Sequence, residues 1–248
     1  MVHFAAPPPP RTAPAAAGVI LLRVCGRYTL TAAPAEVAEH FAVAPGDGLA
    51  PRFNIAPGQN VPVVLRESES RSLAALRWGL VPAWAEGAAF GARAINARAE
   101  SAAQQPAFRE ALRKRRCLLP ADGFYEWRAH AGGPQPHHVA LPGRRLFAFA
   151  GLHERFERGG GTLRSVAILT RPARGRLCEL HRRMPVIVSP DDYDAWLDPA
   201  LDEPEDVEAL LASPLSDELE FRAVDARVND VSCDEPACLA PAAQLSLL

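Results

Sequence analysis

The 248-residue sequence has no long apolar run, few aromatic residues and no regular cysteine spacing. No stretch approaches the roughly 18 to 20 consecutive apolar residues that a membrane-spanning helix requires. The five cysteines are an odd number without the spacing of a disulfide framework, which predicts reduced thiols in a cytoplasmic protein. Cys233 and Cys238 have no second pair nearby, so we predict no zinc site. We expect no metal and no other cofactor.

Basic residues are absent from residues 191–220, although twelve Asp and Glu lie there. Because these twelve belong to a total of 29 acids, the rest of the chain holds 27 Lys and Arg against 17 acids. The formal net charge of -2 therefore conceals a basic remainder, which is compatible with a polyanionic partner. A solvated surface is the default interpretation of the acidic segment itself.

The first 24 residues differ from the rest, since they include Pro7 to Pro10 and no acid. A secretory signal is disfavoured because only residues 18–22 are continuously apolar, and Arg23 and Val24 stand where small residues are needed. An organelle presequence stays open, although the segment has only two arginines. We predict a leader or wrongly translated segment at 1–24, a single domain at 25–240 and a short tail at 241–248.

The remaining pattern predicts short strands with few helices. We expect strands over residues 61–66, 72–78, 117–120, 123–128, 136–141, 146–154 and 163–170, with glycine-rich turns between several of them. We expect helices over residues 34–42, 106–113, 190–197 and 204–211. Consecutive strands with few intervening helices predict an α+β fold with a mostly antiparallel sheet system.

Six short motifs place polar or reactive residues among small, aromatic or proline residues. Taken singly, each has an ordinary structural explanation, such as a strand-edge carboxylate, a turn amide or a buried thiol. In chain order they are Cys-Gly-Arg-Tyr from Cys25, Asn-Ile-Ala-Pro-Gly from Asn54, Arg-Trp-Gly-Leu-Val-Pro-Ala-Trp from Arg77, Ile-Asn-Ala-Arg-Ala-Glu from Ile95, Gly-Phe-Tyr-Glu-Trp from Gly123, and His-Arg-Arg-Met-Pro from His181.

Together and in this order, the six motifs resemble those of the SRAP family, the SOS-response-associated, abasic-site processing proteins. The resemblance covers residues 25 to about 235. It implies one domain built on a curved, barrel-like and mostly antiparallel sheet with a few peripheral helices. It further implies a DNA-damage protein that binds single-stranded DNA with abasic sites in a basic groove. We expect a monomer in the cytoplasm, associated with the nucleoid.

The resemblance assigns roles to particular residues. Cys25 would form the covalent bond to the abasic site, Glu126 would transfer protons, and Asn96 would hold the terminal cysteine and the opened sugar. His181 would assist ring opening and reversal of the crosslink. The residues that would contact DNA are Arg27, Asn54, Pro57, Trp84, Arg98, Trp127 and Arg183.

An N-terminal cysteine suits this reaction because its amine and thiol lie on adjacent carbons. The amine, with a pKa near ~8, attacks the aldehyde of the open sugar and forms an imine. The thiol then closes onto the imine carbon and gives a five-membered thiazolidine ring, which resists hydrolysis better than an imine. The leader blocks this amine. We therefore expect translation to start at Val24, read from a GTG codon, or else self-cleavage of the leader.

The sequence departs from the usual family pattern at three positions. His153 stands where Trp is usual, Arg182 where Asp is usual, and Arg171 where a small or polar residue is usual. None of the three is an expected catalytic position, so they bear on the shape of the groove and on DNA preference.

Two other functions fit the same residues. Cys25 and His181, with Glu126 or Asn96, would suit a cysteine hydrolase or peptidase, which needs no free amine. A non-covalent single-strand DNA-binding module would keep its affinity when Cys25 is replaced. Residues added before Cys25 distinguish the hydrolase from the thiazolidine former, because only the latter needs the terminal amine.

Overall fold

The computed structural model describes residues 26–44, 49–67, 70–130, 132–211 and 217–242. Cys25 and the leader lie outside the described residues, as does most of the predicted tail. The strands are β1 Tyr28–Leu30, β2 Arg52–Ile55, β3 Asn60–Glu67, β4 Ser70–Trp78, β5 Asn96–Arg98, β6 Arg116–Ala121, β7 Gly123–Arg128, β8 Gln135–Ala140, β9 Phe147–Arg158, β10 Gly161–Pro172, β11 Arg183–Pro185, β12 Ile187–Val188 and β13 Glu220–Ala223.

Five of these strands close into a barrel. Strands β10, β4, β3, β6 and β9 are neighbours in this order, and β9 pairs again with β10. Strand β10 runs parallel to β4, whereas the other four pairings of the barrel are antiparallel. Fully buried side chains such as Val64, Leu118 and Ile168 come from its strands. Strand β5 lies parallel to β10, while β11 and β12 pair with β10 and β9.

A second sheet, in the order β13-β8-β7-β1-β2, packs against the barrel through aromatic rings. The Tyr28 ring lies 5.4 Å from Trp78 and 5.7 Å from Phe149, between ring centroids. Phe124 lies 6.0 Å from Phe149 in the same way. These edge-to-face contacts fix β1 and β7 over the barrel, because aromatic pairs prefer that geometry.

The helices are short and peripheral: α1 Pro34–Phe41, α2 Ala99–Ala102, α3 Arg109–Lys114, α4 Tyr193–Leu197 and α5 Pro204–Leu210. Helix α4 belongs to the acidic segment, yet it buries Tyr193, Trp196 and Leu197. The Trp196 indole N–H donates to the Cys117 carbonyl on β6 at 2.8 Å. Strand β6 is consequently buried along its whole length, as expected for a barrel strand covered on its outer side.

The predicted α+β class with a barrel-like, mostly antiparallel sheet is confirmed, and each of the seven predicted strands overlaps an observed one. Two helix boundaries were wrong. The helix expected over 106–113 begins only at Arg109, because residues 106–108 form turns. The helix expected over 190–197 is a short 3-10 turn, Pro190–Asp192, followed by α4.

Candidate active site and nucleic-acid interface

Strands β1 and β7 bring the start of the described chain to Glu126. Tyr28 pairs with Phe124 and Thr29 with Gly123. The Tyr125 backbone N–H donates to the Arg27 carbonyl at 3.0 Å, so the antiparallel register continues past the end of β1. Extended by one more residue, this register sets Gly26 opposite Glu126.

The Glu126 side chain is 3% exposed and lies on the side of its sheet that faces the barrel. Phe124, two residues earlier on β7, contacts Phe149 of the barrel. Since residues two apart in a strand share a face, Glu126 points in the same direction as Phe124. A carboxyl group sheltered from water thus lies on the strand that pairs with the start of the described chain.

Asn96 is the first residue of β5, and it is half-buried. It stands opposite Ile168 of β10 in a parallel pairing. The Trp78 indole N–H donates to the carbonyl of Ile95, the preceding residue, at 2.9 Å. Trp78 also contacts Tyr28 edge to face, so one buried tryptophan joins β1 to the strand that carries Asn96.

Arg98 and Arg183 flank the end of β10, where Arg98 stands opposite Thr170 in the parallel pairing with β5. The Arg183 guanidinium donates to both carboxylate oxygens of Glu100, at 2.8 and 2.9 Å. It also donates to the Thr170 carbonyl at 2.7 Å. The pKa of the Glu100 carboxyl is lowered, mainly by the hydrogen bonds from Arg183. Arg98 is exposed, so its charge faces solvent directly.

His181 precedes β11 and is held by its own turn. Nδ1 of His181 lies 3.1 Å from the Arg183 backbone nitrogen and 3.2 Å from the Arg183 carbonyl oxygen, so it accepts from the first or donates to the second, depending on the tautomer. Partial burial of the ring is the main cause of its lowered pKa; the hydrogen bond to the Arg183 backbone opposes the shift, and the positive charges of Arg182 and Arg183 add to it. His181 is therefore available as a neutral imidazole near neutral pH.

Arg27, Asn54 and Trp127 are all bound by residues 228–233. The Asn54 amide donates to the carbonyls of Val228, Asp230 and Cys233 at 3.2, 3.0 and 2.7 Å, and Asn54 is fully buried. Arg27 donates to Asn54 Oδ1 at 2.8 Å and to the Val228 carbonyl at 2.7 Å. The Trp127 indole donates to the Asn229 side chain at 2.7 Å.

The sequence did not predict a role for residues 228–234, which we call the C-terminal segment, although Asn229 and Asp234 are among its polar residues. Asp234 accepts hydrogen bonds from the backbone N–H groups of Phe53 and Asn54 at 2.6 and 2.9 Å. It also forms an ion pair with Arg52. The concentration of polar residues around Val228-Asn229-Asp230 was the only signal in the sequence, and it does not reveal which strand they contact.

Pro57 and Trp84 lie on two neighbouring loops. Pro57 is part of the turn after β2, where the Gly58 N–H donates to the Trp78 carbonyl at 2.8 Å. Trp84 is 59% exposed, which makes it the most exposed large aromatic side chain among the described residues. Its ring lies 5.4 Å from that of Phe90 in an edge-to-face contact, which leaves much of the indole accessible to a stacking partner.

The structure therefore ties the predicted residues into two groups. Gly26 and Glu126 face one another by register, while Trp78 joins their sheet to the strand of Asn96. Arg27, Asn54 and Trp127 form a second group against the C-terminal segment. His181 contacts the backbone of Arg183, whose guanidinium binds Glu100.

Cysteines and other candidate metal ligands do not gather around a common centre within the described ranges. No group of three or more His, Cys, Asp or Glu there has the arrangement of a metal site. Cys233 and Cys238 lie with their sulfur atoms 3.3 Å apart, and Glu235 Oε1 lies 3.9 Å from the Cys233 sulfur. Among the described helices, none is long and apolar enough to cross a membrane.

Comparison with known proteins identifies one family. The sequence model of the family described as SOS response associated peptidase (SRAP) matches residues 24–231. The abasic site processing protein YoqW of Bacillus subtilis is 35% identical over 218 residues, which cover 86% of this chain and 97% of YoqW. The abasic site processing protein HMCES of Gallus gallus is 31% identical over 224 residues, covering 77% of this chain and 66% of HMCES.

Solved structures share the fold. A phage-related protein from Bordetella bronchiseptica superposes with a TM-score of 0.65 at 30% identity, covering 81% of this chain and 94% of that protein. A protein from Bacteroides thetaiotaomicron superposes with a TM-score of 0.77, covering 88% of this chain and all of that protein. At 20% identity, the second likeness concerns the fold alone.

Proposed function

This chain belongs to the SOS response-associated peptidase (SRAP) family, and from that premise we propose that it processes abasic sites in DNA by bonding Cys25 covalently to the lesion. The relatives named abasic site processing proteins support the substrate. The observation that supports the chemistry is the pairing of β1 with β7, because its register continues toward the buried carboxyl of Glu126, which we propose as the proton-transfer group.

The proposed reaction uses both functional groups of one residue. The α-amine of Cys25 adds to the C1 aldehyde of the opened deoxyribose, and loss of water gives an imine. The thiol then adds across the C=N bond, and its proton passes to the nitrogen. The product is a thiazolidine ring, formed with loss of one water and without any oxidant, reductant or cofactor.

Glu126 is the proposed proton carrier in these steps. Opening of the sugar requires removal of a proton from its hydroxyl, and loss of water requires protonation of the carbinolamine oxygen. A single carboxyl can do both in turn. Its buried position keeps bulk water from competing for the proton.

We propose that Asn96 and His181 take part in the same reaction as Glu126. Asn96 binds the terminal amine or the sugar hydroxyls through its side-chain amide, which offers both a donor and an acceptor. His181 is neutral at physiological pH, since its pKa is lowered by burial, and can accept a proton during ring opening or reversal.

A DNA strand is proposed to bind across the loops and strand ends around this centre. The exposed Arg98 and the partly exposed Arg183 supply positive charge for phosphates. The exposed Trp84 offers a ring for base stacking, and Trp127 a half-exposed one. Arg27, Asn54 and Pro57 support or border this surface. Single-stranded DNA suits this surface best, because a base must be unpaired to stack on a tryptophan ring.

The working chain is proposed to begin at Cys25. Translation from Val24 followed by removal of the initiator methionine would expose the amine, and self-cleavage of the leader is the alternative. In either case the mature amine is essential, since an amide nitrogen cannot form the imine.

The proposal is tested with protein that begins at Cys25 and a single-stranded oligonucleotide bearing one abasic site. We expect a heat-resistant band on a denaturing gel, and no band with a tetrahydrofuran analogue that lacks the aldehyde. Cys25→Ala keeps the amine, so we expect an imine that borohydride traps but no heat-resistant band. Glu126→Gln should slow crosslinking by about 10²- to 10⁴-fold.

Cys178→Ala is the matched control, because Cys178 is an exposed cysteine outside the proposed site. It should crosslink at the rate of the unchanged protein. A heat-resistant band that survives Cys25→Ala would contradict the proposal. Binding without any covalent product would favour the non-covalent binding module, and peptide or ester hydrolysis dependent on Cys25 and His181 would favour the hydrolase.

A further inference from the structure

A cavity of about 350 Å³ opens beside the end of β10, between α2 and α5. The lining residues that matter are Glu100, Gln104, Arg171, Arg174, Val207 and Leu211. We call it the Arg171 pocket.

Arg171 is 7% exposed, although it carries a charge. Its Nη1 donates to the Leu211 carbonyl at 2.5 Å. Its Nη2 is buried and has no acceptor among the described residues. A buried guanidinium nitrogen without an acceptor is costly, because it has lost its water without replacing it. An acceptor inside the pocket would remove this cost.

The pocket also carries excess positive charge. Glu100, its one acidic lining residue, is already engaged at both oxygens by Arg183. Arg174 is exposed and takes part in no ion pair with the described residues. Burial lowers the pKa of Arg171 and the positive charge of Arg174 lowers it further, whereas the carboxylates of Asp217 and Glu100 act in the opposite direction.

We propose that the Arg171 pocket is a phosphate-binding subsite, in which Arg171 Nη2 and the Arg174 guanidinium bind the oxygens of a phosphoryl group. A tetrahedral phosphoryl group presents several oxygens and one to two negative charges, which suits two arginines that line one pocket. Gln104 adds a neutral amide donor at the wall.

The subsite adjoins the proposed DNA surface through Glu100, a lining residue that Arg183 binds. Thr170, the preceding residue of β10, directs its hydroxyl to the Ala97 carbonyl at 3.3 Å. Successive strand residues point to opposite faces, so Arg171 faces away from Thr170. The phosphoryl group can belong to a free phosphate or to a DNA strand that continues past the site.

The test measures the melting temperature of the full-length protein with inorganic phosphate against chloride at equal ionic strength. At phosphate ten times its Kd we expect a saturable rise of about 3 °C. Arg171→Gln and Arg174→Gln should each abolish the saturable part. Arg174→Gln is the sharper variant, because Arg174 is exposed and its loss leaves the contact of Arg171 with Leu211 in place. Arg222→Gln, an exposed arginine of β13, is the matched control.

A second arm separates the two sources of phosphate. Binding of an undamaged single-stranded oligonucleotide is measured against salt concentration. If a DNA phosphate occupies the pocket, Arg174→Gln should reduce the slope of log K against log salt by about 0.7. If free phosphate is the ligand, the slope should not change while the thermal effect is still lost.

Phosphate also stabilises proteins non-specifically by exclusion from their surface, and that effect is not saturable. A rise that is the same in the wild type, Arg171→Gln and Arg174→Gln would overturn the subsite. So would the absence of any saturable rise in the wild type. Neither result depends on crosslinking, so failure here leaves the reaction of Cys25 to be judged separately.

Discussion

At the scale of single residues, Asn54 shows how one amide can hold a surface together. It has no exposed area, and its side chain donates to three carbonyls of the C-terminal segment. Its Oδ1 also accepts from Arg27. The resemblance predicts a role near DNA, and the structure adds a structural one: Asn54 ties β2 and Arg27 to residues 228–233. Asn54 therefore acts on the candidate interface through the segment that it binds.

Asn54→Ala is expected to lower the free energy of unfolding by about 2 to 3 kcal/mol, because buried carbonyls lose their donor. Asn60→Ala is the control, since Asn60 is exposed at the start of β3, and it should change stability by about 0.5 kcal/mol or less. Chemical denaturation measures both. Equal losses in the two variants would show that Asn54 does not hold the segment.

His153 provides a second test at this scale, through pH. Burial, together with the positive charges of Arg164 and Arg115, lowers its pKa from 6.5 to about 4. Between these two values the unfolded chain binds more protons than the folded protein, so stability falls as pH falls. The stabilising contribution is complete above pH 6.5 and is lost as the pH drops through the folded pKa.

His153→Phe should remove this pH dependence. Between pH 7 and pH 4, the free energy of unfolding of the variant should therefore fall by about 2 to 3 kcal/mol less than that of the wild type. Other histidines with lowered pKa, such as His40 and His137, remain in both proteins and cancel in the comparison. His130→Phe, at an exposed position, is the control. Parallel stability curves for His153→Phe and the wild type would contradict this assignment.

At the scale of elements, the candidate site depends on the shortest strands. Asn96 and Arg98 lie on β5 and Arg183 on β11, and each of these strands has three residues, as does β1 beside Cys25. Three residues are too few for a period-two pattern, so the sequence predicted the long strands but not these. They exist because longer neighbours such as β7 and β10 offer them backbone partners, which is a tertiary effect.

A close contact between two backbone segments determines the conformation of the loop between β4 and β5. Gly79 has a φ of +130°, in the left-handed region, and a Cβ on it would lie 2.7 Å from the Gly91 carbonyl oxygen. A Cβ on Gly91 would lie 2.5 Å from the Gly79 carbonyl oxygen. Neither backbone can yield without moving the other, so this contact fixes the loop that carries Trp84 and leads to Asn96.

Gly91→Ala is expected to lower the free energy of unfolding by about 2 to 4 kcal/mol through this clash. Gly87→Ala is the matched control in the same loop, because the nearest atom to its Cβ would be an Arg158 side-chain nitrogen at 3.9 Å. Its effect should be within about 1 kcal/mol of zero. Thermal unfolding measures both, and a Gly91→Ala loss no larger than the control would show that the contact is not tight.

At the scale of the whole molecule, the sequence predicted the class of fold but not its closure. The barrel closes through the parallel pairing of β10 with β4, between residues almost ninety positions apart, and no local pattern signals such a contact. The return of residues 228–234 across β2 is equally non-local. The six motifs indicated which residues share a function, whereas only the fold shows which of them touch.

The proposed reaction depends on where the working chain begins. The amine and the thiol of Cys25 can react together only if Cys25 is the first residue. The most direct measurement compares the intact 248-residue chain with a chain that begins at Cys25, each confirmed by intact mass, on single-stranded DNA with one abasic site. We predict a heat-resistant crosslink for the chain that begins at Cys25 and none for the chain whose leader stays intact. Equal crosslinking by the intact long chain would contradict the mechanism.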